Sequence, residues 1–160
     1  MVDNKKHIGY IKNGVNLDHI PCGNVWSIIK ILKLESNVNN QTGVGLNLPS
    51  RKIGFKDLLK IENKVLTKAE INAISSFCVG STLSIIENYK VIKKEIIKLP
   101  NIINDVLICP NERCVSNIHY SSFKTIETYD LDLSIICNYC EQKFLLKDIK
   151  HFSYNVAIEK

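Results

Sequence analysis

The chain has 160 residues, of which 45% are hydrophobic and 23% charged, and a formal net charge of +5 at pH 7. This composition excludes global disorder and is typical of a soluble globular protein with one domain or two small ones. No stretch approaches the roughly 18 consecutive apolar residues of a spanning helix, and residues 1–6 lack the apolar run of a signal peptide, so we expect a cytoplasmic protein with no membrane partner. In that reducing compartment six cysteines argue against a disulfide framework and favour metal or redox chemistry.

Charge is distributed unevenly along the chain. Residues 1–100 carry 15 Lys and Arg against 8 Asp and Glu, whereas residues 101–160 carry 6 against 8. The basic half suits a polyanion such as a nucleoside triphosphate or a nucleic acid, and the acidic half is unsuited to a phosphate backbone. From composition alone, a solvated lysine-rich surface explains the first half equally well.

The first predicted elements are a strand, a helix and two more strands. Residues 7–12 predict a short strand that ends at the turn dipeptide Asn13-Gly14. Residues 25–34 carry apolar side chains at helical spacing, which predicts an amphipathic helix packed on a sheet. Residues 43–50 predict a strand closed by a proline turn, and residues 56–64 predict the next strand.

A second helix and a final strand complete this half. Thr67 and Glu70 have the spacing of a capping box, which predicts a helix that begins after Thr67 and stops near Gly80. Residues 81–97 are rich in β-branched side chains and predict one long strand or a hairpin. The resulting order, βαββαβ, predicts an α+β fold of ferredoxin-like type.

Leu99-Pro100-Asn101 breaks this pattern, so we expect two domains, residues 1–100 and residues 101–160. A unit of about 60 residues buries little core and commonly needs a metal ion or disulfides to fold. The second domain is therefore the place to look for a metal site.

Four cysteines form the strongest motif in the chain. They are spaced as a C-x4-C pair and a C-x2-C pair with 22 residues between them: Cys109, Cys114, Cys137 and Cys140. Four thiolates bind one Zn²⁺ tetrahedrally and leave no open coordination position, so the ion is expected to be structural. The pattern predicts a small β-rich domain of zinc-ribbon or rubredoxin-like type. A thioredoxin-like redox pair at Cys137 and Cys140 is the alternative, but it leaves the first pair unexplained.

The two remaining cysteines, Cys22 and Cys78, have apolar neighbours and no partner pattern, so we expect both to be small core residues. The sequence contains no nucleophile motif and no pair of carboxylates in a recognisable catalytic motif, which favours a non-catalytic protein.

Several residues of the basic half suit a nucleotide. Lys56 and Lys60 are four apart and share one face of a strand or of a helix, and Lys94 lies on the last predicted strand. Asp18 and His19 form a plausible pair for a ribose hydroxyl and a phosphate. Tyr89 with Ile86 and Val91 could form an apolar wall for a base, although ordinary strand packing is the simpler interpretation.

Taken together, these stretches resemble the regulatory chains of aspartate carbamoyltransferase. The resemblance covers most of the chain and rests on Asp18-His19-Ile20-Pro21, Gly45-Leu46-Asn47-Leu48-Pro49-Ser50, residues 56–63, Asn88-Tyr89, Leu99-Pro100, residues 104–111 leading into Cys114, and Cys137-Asn138-Tyr139-Cys140-Glu141. It implies a non-catalytic subunit of a pyrimidine-biosynthesis enzyme, with an allosteric domain that binds CTP as inhibitor and ATP as activator. It also implies a zinc domain that docks on the catalytic chain, and a regulatory-chain homodimer.

The resemblance assigns a role to each candidate residue. Ile11 and Tyr89 would meet the base, Asp18 and Lys60 the ribose and the base edge, and His19, Lys56 and Lys94 the phosphates, with Ile86 and Val91 lining the pocket. The four cysteines match the zinc ligands of the family. Ser84 departs from the phosphate-contacting Asn that is typical there, which implies an altered affinity or CTP/ATP balance.

Two other classes of function compete with this interpretation. A zinc-ribbon protein that binds nucleic acid through its basic half would show an affinity that falls steeply with salt. A nucleotide-transforming enzyme would need a metal or a base beside the lysines, and Asp18 is the one candidate that the sequence supplies.

Overall fold

The computed structural model describes residues 10–126 and 133–149. The chain divides into two compact units, Met1–Lys98 and Leu99–Lys160. Across the described ranges, no helix combines the length and the apolar character needed to cross a bilayer.

The first unit is a five-stranded antiparallel sheet with two helices. Its elements are β1 (Gly14–Ile20), α1 (Val25–Ile31), β2 (Thr42–Ser50), β3 (Gly54–Glu62), α2 (Lys68–Cys78), β4 (Thr82–Glu87) and β5 (Lys90–Ile96). The sheet order is β2-β3-β1-β4-β5, so the predicted βαββαβ arrangement is confirmed, with β5 as an additional edge strand.

Side-chain alternation gives this sheet an apolar face and a polar face. Leu17 of β1, Leu59 and Ile61 of β3 and Leu83 of β4 are buried; α1 contacts β3, and α2 contacts β1. The intervening residues of β1 and β3 are half-buried and, apart from Leu58, polar. Because α1 and α2 are both short, the apolar face supplies much of the stability of the unit.

The predicted first strand is wrong in position. Tyr10 to Asn13 have no strand conformation and residues 7–9 lie outside the described ranges, whereas β1 begins at Gly14 and includes Asp18 and His19. Gly14 has φ +143°, and a Cβ at this position would lie 2.1 Å from the carbonyl oxygen of Ile61. The glycine therefore allows close pairing with β3 and does not form the hairpin turn that Asn13-Gly14 indicated.

The helices differ in how closely they match the sequence pattern. The capping box is present, because the Thr67 hydroxyl accepts from the Glu70 amide and the Glu70 carboxylate accepts from the Thr67 amide. The first helix is shorter than predicted: Lys33 adopts φ +53° and a 3₁₀ turn follows at Leu34–Ser36. Residues 81–97 form the hairpin alternative, β4 and β5.

Asp57 joins three segments of the first unit. It is fully buried in β3, and its carboxylate accepts from the backbone amides of Gly23 (2.7 Å) and Asn47 (3.0 Å). The pairing register shifts on both sides of it, between Leu17 and Ile20 of β1 and between Gly45 and Leu48 of β2. Two bulges, one in β1 and one in β2, therefore lie on either side of β3 next to Asp57.

The second unit is a four-stranded antiparallel sheet. Its strands are β6 (Ile102–Asn104), β7 (Ser122–Ile126), β8 (Ser134–Cys137) and β9 (Lys143–Leu145), in that order across the sheet, with 3₁₀ turns at Val115–Asn117 and Leu146–Asp148. The buried side chains of this sheet include Ile103, Phe123 and Ile135 from three neighbouring strands. A β-rich unit with a cysteine cluster agrees with the predicted fold class.

Candidate functional site

The four patterned cysteines converge in the second unit. Their sulfur atoms all lie within 4.8 Å of one another. The Cys109 and Cys140 sulfurs are 3.7 Å apart, and so are the Cys114 and Cys137 sulfurs. Tetrahedral Zn²⁺ with Zn–S bonds of about 2.3 Å separates its sulfurs by about 3.8 Å. The donor set therefore fits one structural metal ion.

Two loops hold the cysteine pairs. In the first, the Asn117 side chain accepts from the Cys109 amide (3.1 Å) and donates to the carbonyls of Cys109 (3.1 Å) and Asn111 (2.9 Å). In the second, Cys137 ends β8 and its carbonyl accepts from the Glu141 amide (2.9 Å). Asn117 thus fixes the first pair, a role that cysteine spacing alone does not reveal.

A contact from Ser116 favours the thiolate form of Cys114, the form that binds a cation. Its hydroxyl lies 3.0 Å from the Cys114 sulfur, and both residues are buried. Burial raises the pKa of the Cys114 thiol, but hydrogen bonds from the Ser116 hydroxyl and amide, together with those from the Cys137 and Cys109 thiols, outweigh it and lower that pKa to about 7. A thiolate is the form that binds a metal, so this contact favours the ligand state.

The other two cysteines belong to the first unit. Cys78 is buried, as expected, and burial raises its pKa to about 12. Cys22 is exposed, so its prediction as a core residue is wrong. Its apolar sequence neighbours gave the opposite indication, but the segment between β1 and α1 turns the side chain outward.

The polar face of the first sheet brings together most of the predicted nucleotide residues. Lys60 of β3 pairs with Asn16 of β1, Asn16 pairs with Ser84 of β4, and Ser84 pairs with Lys94 of β5. Directly paired residues of antiparallel strands share a face, so these four side chains form one row across the sheet. We call them the central row.

On one side of the central row lies an ion pair. The Lys56 ammonium is 2.7 Å from Asp18 Oδ1 and 3.0 Å from Oδ2, and the His19 amide donates to Oδ1 at 2.7 Å. Burial raises the pKa of the Asp18 carboxyl, but the contacts with Lys56 and His19 outweigh it and hold that pKa below its ordinary value. The His19 imidazole is near this pair, with Nδ1 3.6 Å from Asp18 Oδ2.

On the other side of the central row lie the predicted apolar residues. Ile86 of β4 pairs with Val91 of β5, and Tyr89 occupies the turn between these strands with 63% of its surface exposed. The Tyr89 amide donates to the Lys12 carbonyl at 2.9 Å, which places the turn next to the half-buried Ile11. The structure thus brings Ile11, Tyr89, Ile86 and Val91 to one end of the face.

Asn16 belongs to this face although the sequence gave no reason to select it. It is a half-buried polar residue at the centre of β1, between Val15 and Leu17 on the apolar face. The alternation of Asn16 and Asp18 with these apolar residues could have revealed it, had the strand been placed correctly.

A four-cysteine cluster that fits one metal ion, in a chain whose other unit carries a polar sheet face with an ordered ion pair, is typical of a protein stabilised by a structural metal. Comparison with family models identifies the family of this protein. Residues 6–98 match the allosteric domain of the aspartate carbamoyltransferase regulatory chain, and residues 101–150 match its metal binding domain. The chain therefore belongs to the family of aspartate carbamoyltransferase regulatory chains.

Individual relatives agree with this assignment. The regulatory chain of Vibrio cholerae is 40% identical over 144 residues, 89% of this chain and 92% of the relative. That of Photorhabdus laumondii is 39% identical over the same shares, and that of Salmonella typhi is 37% identical over 98% of this chain and 97% of the relative. These proteins are named regulatory and not catalytic, which confirms the expectation that this chain is not itself an enzyme.

Proposed function

We propose that this regulatory chain binds CTP and ATP at one site on the polar face of the first sheet and docks on the catalytic chain of aspartate carbamoyltransferase through its metal unit. Residues 1–100 form the allosteric domain, residues 101–160 form the docking domain, and two copies associate as a regulatory dimer. CTP inhibits and ATP activates the enzyme, which serves pyrimidine biosynthesis in the cytoplasm. The central row supports the nucleotide site, because it aligns two lysines from separate strands on one face.

The nucleotide lies along β1 with its base at the apolar end of the face. Ile11 and Tyr89 contact the base, and Ile86 and Val91 line the pocket. Lys60 and Asp18 bind the ribose and the base edge. His19, Lys56 and Lys94 bind the triphosphate, whose several negative charges require several cations.

The metal ion of the second unit is Zn²⁺, and its role is to fold a docking surface. Side chains in and near the cysteine loops are apolar and exposed: Val115, Ile118, Tyr120 and Tyr139. Exposed apolar groups grouped in this way favour a protein partner over solvent. The excess of acidic over basic residues in this half disfavours nucleic acid.

Regulation requires that the nucleotide distinguish two states of the assembled enzyme. A ligand shifts an equilibrium only by its differential affinity for the two states, typically ~1–3 kcal/mol of coupling. CTP and ATP share the triphosphate and differ in base size, so they differ in how they contact Ile11 and Tyr89.

Titration calorimetry on the zinc-loaded chain tests the nucleotide site. We expect saturable binding of CTP and of ATP, each displacing the other. Lys60→Ala and Lys94→Ala should weaken both by roughly 10- to 150-fold, since each removes a charge-assisted hydrogen bond. Lys93→Ala is the matched control, because Lys93 pairs with Ile85 on the opposite face and contacts Glu95 at 3.2 Å. Equal losses in all three variants would contradict this site.

Co-purification with the catalytic chain tests the docking role. Cys114→Ala removes one metal ligand and should abolish stoichiometric association while nucleotide binding persists. Cys22→Ala is the control, since Cys22 is exposed and lies outside the metal cluster. If Cys114→Ala still co-purified at full stoichiometry, the metal unit would not be the docking element.

A further inference from the structure

The turn between β4 and β5 holds a tyrosine in a conformation that favours glycine. Its two central residues, Asn88 and Tyr89, have φ +49° and +65°. Two-residue hairpin loops with positive φ at both positions prefer Asn followed by Gly, because a Cβ in the left-handed region lies too close to the following carbonyl. Asn88 suits the first position, but Tyr89 occupies the position of the glycine. A bulky residue persists in this region only where its surroundings hold it.

One short segment supplies contacts that hold this turn. The Asn13 side chain accepts from the Asn88 amide through Oδ1 at 2.9 Å, and the Lys12 carbonyl accepts from the Tyr89 amide at 2.9 Å. Both central amides of the turn therefore donate to residues 12–13 instead of to water. The left-handed conformation of Tyr89 is thus stabilised from outside the hairpin.

The same segment is anchored on its other side to the end of β3. The Asn13 carbonyl accepts from the Asn63 amide at 2.9 Å, and the Lys12 amide donates to Glu62 Oε1 at 3.4 Å. These bonds use backbone groups of residues 12 and 13. Truncation of the Asn13 side chain therefore leaves the segment in place and removes one of its two bonds to the turn.

This arrangement also sets the spacing of two groups that are proposed to meet the base. Ile11 directly precedes the segment and Tyr89 lies in the turn, so the bonds from residues 12 and 13 fix one group relative to the other. An aromatic ring stacks on a base only at a suitable distance and angle. Apparent affinity falls with the fraction of molecules in the binding-competent conformation, so loss of one bond to the turn should weaken binding.

We propose that Asn13 is a positioning residue for the base: its side chain keeps the β4–β5 turn in the conformation that holds Tyr89 beside Ile11. Asn13 acts through Tyr89 and does not itself contact the nucleotide. This inference rests on the proposed nucleotide site. It also gives a role to the Asn13-Gly14 dipeptide, whose asparagine stabilises a turn elsewhere in the sheet instead of forming one.

A double-mutant cycle, measured by calorimetry on the zinc-loaded full chain, tests the proposal. Asn13→Ala should weaken CTP and ATP by roughly 2- to 12-fold, the range of a single neutral hydrogen bond. In the Tyr89→Ala background the same change should have no further effect, because the group that it positions is gone. In the Lys94→Ala background the factor should be retained in full, since the phosphate contact does not depend on the turn.

Two further variants separate this role from a general loss of stability. Asn13→Asp keeps an oxygen acceptor and should recover most of the affinity that Asn13→Ala loses. Asn24→Ala is the matched control, because it also removes one asparagine bond to a backbone group, from Asn24 Nδ2 to the Phe77 carbonyl at 2.8 Å. It should leave nucleotide affinity unchanged. Without nucleotide, hydrogen exchange of the Asn88 amide should accelerate in Asn13→Ala and not in Asn24→Ala.

Three results would overturn the proposal. An undiminished effect of Asn13→Ala in the Tyr89→Ala background would mean that Asn13 acts on the nucleotide by another route. Unchanged exchange of the Asn88 amide would mean that Asn13 does not hold the turn. Unchanged affinity in Asn13→Ala, with normal binding by the wild type, would separate the turn from base recognition. If the wild type itself bound neither CTP nor ATP, the proposed nucleotide site would fail and this positioning role with it.

Discussion

The two units of this chain secure their folds in different ways. The first buries apolar side chains from three central strands and both helices, among them Leu17, Ile28, Leu59 and Ile74, each with no exposed surface. Among its described residues, the second places far fewer apolar side chains in its interior and adds four convergent cysteines, three of them buried. A small sheet cannot exclude enough apolar surface from water, so a metal ion takes over part of that role.

This difference implies that the two units respond to different perturbations. Loss of the metal should destabilise the second unit strongly and the first unit only slightly. Truncation of a core side chain in the first unit should do the reverse. The following predictions test this contrast from the largest expected effect to the smallest.

Removal of the metal should have the largest effect. Structural zinc contributes about 10–16 kcal/mol of binding free energy in small domains, so a strong chelator should unfold the second unit. Amide hydrogen exchange of β7 and β8 would report this unfolding. The chain has one tryptophan, Trp26 of α1, whose emission reports the first unit and should stay unchanged. A shift of that emission on chelation would contradict independent stabilisation.

Leu59→Ala should reverse the pattern. Leu59 is fully buried in β3, and truncation of a buried leucine costs about 2–5 kcal/mol. Thermal unfolding followed by Trp26 should shift to lower temperature while the zinc content stays constant. Leu58→Ala, at a half-buried position on the other face of β3, should cost less. Equal shifts in unfolding temperature for the two variants would contradict the assignment of Leu59 to the core face of β3.

Ser116→Ala should weaken the metal centre without removing a ligand. It deletes the hydroxyl contact to the Cys114 sulfur, and loss of such an outer contact typically lowers metal affinity by about 10- to 100-fold. Competition with a chromophoric chelator would measure the change. Asn138→Ala serves as the control, because the side-chain Nδ2 of Asn138 donates to the Ser122 hydroxyl and not to a cysteine sulfur. Unchanged affinity in Ser116→Ala would show that the hydroxyl does not stabilise the thiolate.

Glu70→Gln should have the smallest effect and should depend on pH. Burial raises the pKa of Glu70, but contacts with Lys64 (2.7 Å) and with Thr67 outweigh it and hold that pKa below its ordinary value of 4.5. A carboxyl with a lowered folded pKa stabilises the fold above its ordinary pKa and loses that contribution as pH falls through the folded value. The variant should therefore cost ~1 kcal/mol at neutral pH and progressively less in acid. Denaturant unfolding at pH 7 and pH 3 measures this, and a pH-independent difference would argue against the ion pair.

The sequence predicted best those features that depend on local spacing. The capping box at Thr67 and Glu70 and the cysteine pairs are short-range patterns, and the structure contains both. Helical spacing, the capping box, turn residues and β-branched stretches were enough to predict the βαββαβ order, although the first strand was placed wrongly. The assignment of individual nucleotide residues remains a prediction, now supported by their common face.

Features that depend on pairing between distant segments were missed. Asn13-Gly14 has the sequence of a turn, but Gly14 pairs with both β3 and β4 and therefore begins a strand. Asn16 was not selected because the first strand was placed too early in the chain, so that the alternation of Asn16 with Val15 and Leu17 was not recognised. Ser116 and Asn117 act through a 3₁₀ turn that has no distinctive sequence.

The two bulges beside Asp57 have a consequence for how the chain tolerates changes in length. Each bulge adds a residue to one strand and so resets which side chains beyond it face which side. Deleting Asp18 or His19 would leave a regular ladder in which Leu17 still pairs with Leu59 and Ile20 with Asp57, so the side chains that follow would keep their faces. The loop at Gly23 would then stay near the Asp57 carboxylate that holds it. Deletion of one residue in the regular part of β1, such as Asn16, would instead exchange the faces of the residues on one side of it. The bulge is therefore the position in β1 where loss of a residue should disturb the core least.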